Sequence, residues 1–123
     1  MKWFNLVVGG ISGTCARYVL AGVVYRVLGT SFPFGTLVVN LLGCFIIGVL
    51  AVLSEEKFLL NPNTRLLWMA GFCGAFTTFS TFMLETANLL KDGELLKAGL
   101  NVTVSVIVGF VVFRLGVLLA CVF

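Results

Sequence analysis

The chain has 123 residues, 60% of them hydrophobic and 11% charged, which is room for four membrane-spanning helices of roughly 20 residues each and short connectors, with none left for a soluble domain. Its formal net charge of +3 is scattered along the chain, which excludes the clustered basic face of a nucleic-acid binder. Histidine, the commonest metal ligand and general base, is missing, and the long apolar runs lack the polar outer face of a soluble helical core.

The first apolar run predicts a helix over about residues 3–28, with Trp3 and Tyr25 placed to anchor at the two interfaces. Met1-Lys2 before an apolar stretch is also how a secretory signal opens. Arg17 interrupts that stretch, however, and Ser12-Gly13-Thr14-Cys15 is a poor lipoprotein cleavage site, so the segment reads as an uncleaved transmembrane helix. Gly9, Gly13 and Arg17 are four apart and share a face. Two glycines admit a close helix neighbour. An arginine at that depth costs roughly 2.5–3.5 kcal/mol on insertion scales, so it needs the contact, a wet cavity or a snorkelling path.

Gly29 to Pro33 make a turn, in which Ser31 and Pro33 suit the cap and first turn of a second helix over about residues 33–53. Thr36, Asn40 and Gly43 lie on one face of it. An asparagine in hydrocarbon must find partners. Asn40 reads as interhelical glue or, through its two N–H donors, as a contact for an anion.

After a polar loop, a third helix is predicted over about residues 64–90. Its centre, Gly71-Phe72-Cys73-Gly74-Ala75-Phe76-Thr77-Thr78-Phe79-Ser80-Thr81-Phe82, holds two glycines, four hydroxyl residues and four phenylalanines. Glycine and threonine weaken a helix, which predicts a break. Irregular backbone at membrane depth survives only when it is buried in protein or lines a wet site. Freed carbonyls would suit a cation and freed N–H groups an anion. Phe79 and Phe82 face one way by spacing. Their electropositive ring edges would attract an anion, the alternative being ordinary aromatic packing.

Lys91-Asp92-Gly93-Glu94 turns the chain into a fourth helix over about residues 95–122, where Asn101, Ser105 and Gly109 share a face and Arg114 is placed to snorkel. Cys15, Cys44, Cys73 and Cys121 fall in four different apolar segments without a C-x-x-C pair, and each reads as a small buried hydrophobe. Connector charges balance: Lys2, Lys57 and Arg65 on one side, Arg26, Lys91 and Lys97 on the other, three against three. By the loop-charge rule this is either a weak signal in a short protein or a chain that inserts both ways and pairs antiparallel.

Three function classes fit poorly. A proton-coupled multidrug exporter needs an embedded carboxylate, and Glu85 lies toward the end of the third helix while the first carries an arginine. An accessory subunit explains the glycines but not the centre of the third helix. No set of nucleophile, base and orienting group is present, so an enzyme is not expected.

Gly35-Thr36-Leu37-Val38-Val39-Asn40 with Gly43, the run from Gly71 to Phe82, and Gly9-Gly10, Gly13 and Arg17-Tyr18 together resemble the small dual-topology fluoride channels of the CrcB/Fluc type. The likeness extends over essentially the whole chain. It implies an all-α membrane protein of four transmembrane helices, the third broken near its centre, working as an antiparallel homodimer in the bacterial cytoplasmic (inner) membrane. Two fluoride pathways would follow the subunit interface, exporting fluoride and protecting the cell from its toxicity. By the same resemblance Phe79 and Phe82 meet fluoride with their ring edges, Asn40 and Thr36 lie near them, and Ser80 and Thr81 belong to a hydroxyl track. Ser105 joins the lining from the fourth helix and Arg17 faces a vestibule. A structural sodium ion would sit on backbone carbonyls of Gly74 and Thr77 from both subunits, with no organic cofactor. The pattern departs at Asn101 and Gly109, where some relatives carry tyrosine and serine.

Overall fold

The computed structural model describes all residues 1–123. Helix α1 (Lys2–Leu28) ends at Gly29, whose φ of 87° lies in the left-handed region that glycine reaches without a Cβ clash. Helix α2 (Phe34–Ala51) continues into a π-helical turn, Val52–Glu56. The third span opens with α3 (Pro62–Arg65), passes through a π-helical stretch, Leu66–Cys73, and closes with α4 (Gly74–Phe76). Thr77 is extended at φ −91°, ψ 158°, and α5 (Ser80–Lys91) resumes beyond it. Helix α6 (Leu95–Val122) completes the chain. Four segments, Lys2–Leu28, Phe34–Glu56, Pro62–Lys91 and Leu95–Val122, are long and apolar enough to cross a membrane.

The helix starts follow local chemistry. Asn61 accepts the Thr64 N–H at 2.8 Å and Pro62 fills the first helical position, so the third span starts at residue 62 rather than 64. Ser31 does not cap α2 as its type suggested. The Phe34 N–H donates to the Phe32 carbonyl at 2.7 Å with Pro33 at φ −75°, ψ 60°, an inverse γ-turn that sets the helix entry without a side-chain cap. The Ser31 carbonyl instead accepts from Lys97 Nζ at 3.2 Å.

Only 19 of 123 residues are buried, and Ile11, Val106, Phe110 and Leu118 are among many exposed apolar side chains. Hydrocarbon offers no hydrophobic drive between helices, so close backbone packing must supply the adhesion. Glycines provide it. A Cβ at Gly9 would run into the Leu67 carbonyl and the Phe72 amide, and one at Gly13 into the Phe72 carbonyl, which seats α1 on the third span. Gly48 faces the Phe113 carbonyl and Gly116 the Phe45 carbonyl in the same way, locking α2 to α6. Of the cysteines, Cys73 is buried and Cys44 half-buried, but Cys15 and Cys121 lie on the outer surface, where lipid accepts an apolar thiol as readily as a core does.

Candidate functional site

The site is built around the irregular backbone between Phe76 and Ser80. Thr78 hangs on one side chain of the neighbouring helix. Asn40 Oδ1 accepts the Thr78 N–H at 2.8 Å, and Asn40 Nδ2 donates to the Thr78 carbonyl at 3.0 Å. Both backbone groups of a non-helical residue are thus satisfied at membrane depth, as irregular backbone there requires. Thr78 in turn accepts the Thr81 N–H on its own Oγ1 at 3.2 Å, capping the start of α5. Gly43, one turn beyond Asn40, lets this happen: a Cβ there would overlap the Thr77 methyl.

These substitutions free carbonyls. In a continuous helix the Gly74 carbonyl would accept from the Thr78 N–H, now on Asn40, and the Thr77 carbonyl from the Thr81 N–H, now on Thr78 Oγ1. No group of three or more His, Cys, Asp or Glu side chains gathers anywhere in the chain. Oxygen ligands for a hard cation would therefore come from such carbonyls, and the two freed ones belong to the residues that the resemblance assigns to sodium. The next carbonyl, that of Ala75, is taken by Arg17, whose Nε donates to it at 3.1 Å. Gly9 and Gly13 press α1 against the third span and so bring the arginine within reach.

Two cavities border Thr78. One, of about 390 Å³, is lined by Asn40, Gly43, Gly74, Thr77 and Phe79. The other, of about 410 Å³, is lined by Arg17, Thr36, Thr78, Thr81 and Glu85. Thr78 lines both cavities and Asn40 lines the first. Phe79 is 72% exposed and Phe82 6% exposed, with ring centroids 5.8 Å apart and planes tilted by 57°. The two rings touch: Phe79 has helical dihedrals (φ −90°, ψ −38°) and its carbonyl accepts the Met83 N–H at 2.9 Å, so the three-residue spacing holds them together at the start of α5. Ser80 is exposed and lines neither cavity. Ser105 also stands apart, its Oγ buried without a partner.

Three placements were not legible beforehand. Tyr25 is no simple interface anchor. It donates to Glu85 Oε2 at 2.6 Å, and its oxygen lies 3.5 Å from the Thr36 hydroxyl. Glu85 Oε1 is buried and unpartnered. A lone carboxylate inside a span was the available signal, and its partner sits sixty residues away in the chain. Asn101 is 1% exposed and donates to Thr86 Oγ1 at 2.9 Å, while Thr86 donates to the Phe82 carbonyl at 2.8 Å, so it ties α6 to α5.

The sequence profile of the CrcB-like proteins, described as camphor resistance (CrcB), matches residues 4–117. A relative from Chlorobaculum tepidum is 50% identical over 112 residues, 91% of this chain and 88% of that protein. One from Maridesulfovibrio salexigens is 45% identical over 109 residues, 89% of this chain and 86% of its own length. The chain belongs to the CrcB family. Both relatives carry the name "Fluoride-specific ion channel FluC", as does one from Prosthecochloris aestuarii, 48% identical over 112 residues, 91% of this chain and 87% of that protein. With its four membrane-crossing helices, this member of the family is a multi-pass membrane protein. The matched residues enclose the whole site, from Gly9 and Arg17 through the Asn40–Thr78 pair to Ser105.

Proposed function

We propose that this protein is a fluoride-selective channel that exports fluoride across the cytoplasmic membrane and so protects the cell from it. The observation that carries the reading is the pinned irregular backbone at Thr77–Phe79, with Asn40, hydroxyls and the Phe79–Phe82 pair around it, in a chain whose relatives are named fluoride channels. Fluoride is small and tightly hydrated, so a pathway must replace its water with many donors. Hydroxyl groups, the second N–H of Asn40 and positive ring edges do that without a fixed cation at the narrowest point. Arg17 shares a cavity with Thr36, Thr78 and Thr81, and its Nε is engaged by the Ala75 carbonyl. Binding of that kind admits the ion yet lets it leave.

The working unit is an antiparallel homodimer with two pathways. Balanced loop charges support it, as does the exposure of Phe79 beside a cavity left open by a single chain. The freed Gly74 and Thr77 carbonyls of two copies would hold the structural sodium ion, which neutralises carbonyl dipoles at the broken helices. Ser80, Thr81, Thr36 and Ser105 are assigned to the polar lining. Reconstitution in liposomes with a fluoride electrode tests the proposal. Fluoride efflux should far exceed chloride efflux and fall steeply in Phe79→Ile and Asn40→Asp. Correctly folded protein without fluoride efflux, or with comparable chloride flux, would overturn it.

A further inference from the structure

We propose that the cavity between the start of α1 and the start of the third span is a binding site for the headgroup of an anionic phospholipid. The cavity, of about 580 Å³, is lined by Lys2, Asn63 and Arg65 together with Leu66, Met69 and Ala70. Its two cations come from different spans, and no carboxylate lines it. Neither cation has an acidic partner, since the one ion pair in the chain joins Lys97 to Glu94 at 3.9 Å. Four of the five acids are placed elsewhere. Glu85, Asp92 and Glu94 line a separate cavity with Lys97, and Glu56 Oε2 lies 3.7 Å from Cys121 Sγ. Two uncompensated cations and an amide converging on one hollow match the oxygens of a phosphodiester.

Depth fixes which phosphate-bearing partner this is. Trp3 is 73% exposed and carries Lys2 Nζ over its ring at 5.7 Å, the arrangement of an aromatic side chain at the membrane–water boundary. From the cationic rim the lining passes directly to Leu66, Met69 and Ala70 of a membrane span. A ligand there must be ionic at one end and apolar at the other, as a phosphatidylglycerol is and a soluble phosphate is not. Each basic group near an anionic lipid surface adds on the order of fivefold to binding, so losing both should weaken it by roughly 25-fold.

Native mass spectrometry of the purified protein titrated with phosphatidylglycerol, phosphatidylcholine or inorganic phosphate tests this. Phosphatidylglycerol should bind in preference to phosphatidylcholine, and the K2Q/R65Q double variant should lose roughly 25-fold in its affinity. K2R/R65K should keep it, and R26Q, in the last turn of α1 at its opposite end, should bind as the parent does. Both substituted side chains are exposed, so an unchanged elution profile shows that the fold is kept. Equal binding of the two lipids, retention by K2Q/R65Q, or displacement of phosphatidylglycerol by equimolar inorganic phosphate would each overturn the assignment.

Discussion

Asn40 is the side chain on which the irregular backbone depends, and Asn40→Leu is the cleanest perturbation of it. The substitution keeps the volume and removes both the 2.8 Å bond to the Thr78 N–H and the 3.0 Å bond to its carbonyl. An unsatisfied buried polar group costs about 1–3 kcal/mol. The chain can recover one of the two by letting the Thr78 N–H return to the Gly74 carbonyl, which converts Thr77 from extended to helical and pushes its methyl away from Gly43. The net loss is then about 2–4 kcal/mol, one group's penalty plus the repacking. Asn40→Asp separates the two bonds. Its carboxylate still accepts from the Thr78 N–H, but it cannot donate to the carbonyl and turns a lone pair toward it. Unfolding by SDS titration in mixed micelles reads the stability, and the 13Cα shift of Thr77 reads its conformation. Asn40→Leu should unfold earlier and move Thr77 toward helical shifts, whereas Asn40→Asp should retain the extended shift. A leucine variant with the parental midpoint and an extended Thr77 would refute the reasoning.

The glycine contacts give a second expectation: Gly116→Ala should destabilise by about 2 kcal/mol or more, because its Cβ meets the Phe45 carbonyl. Gly99→Ala, with nothing within 4 Å of its Cβ, should be neutral or stabilising by up to about 1 kcal/mol in the same titration. Thr86→Val strands the buried Asn101 amide and should cost about 1–3 kcal/mol. Thr86→Ser should cost far less, and Asn101→Leu combined with Thr86→Val should recover most of the loss, as a double-mutant cycle will measure. Arg17→Leu releases the Ala75 carbonyl at the end of α4 and should lower stability by about 1.5–3 kcal/mol, the range for a hydrogen bond to a charged group. Arg17→Lys should fall between Arg17→Leu and the parent.

Apolar run length alone revealed four membrane-crossing helices, because nothing but a helix or closed barrel satisfies its backbone in hydrocarbon. Four-residue spacing of Gly9, Gly13 and Arg17 also carried real information, since the glycines do seat α1 on the third span and Arg17 does reach its backbone. What sequence left open was partnership. Asn40 had two readings, and its use as glue for a backbone group depends on a residue 38 positions later. Likewise, Tyr25 looks like an interface anchor until the fold brings Glu85 to its hydroxyl. The helix-period reading of Phe79 and Phe82 put the two rings together, and they do touch, with centroids 5.8 Å apart; it could not show that Thr77, two residues earlier, is extended. Local rules fail where a side chain has replaced the backbone's usual partner.

The π-helical stretch at Leu66–Cys73 bears on how sequences of this kind are aligned and edited. A π turn carries roughly one residue more than an α turn, so it behaves as an insertion absorbed without a loop. Widening the turn takes up most of the rotation of about 100° that an added residue would impose on everything downstream in a regular α-helix. The azimuth of Thr77, Thr78 and Phe79 relative to Arg65 therefore depends on how those turns are wound as well as on the residue count, and side-chain identity in the stretch matters less. Position in this span is a property of winding number, and a one-residue gap placed there by alignment is a statement about geometry.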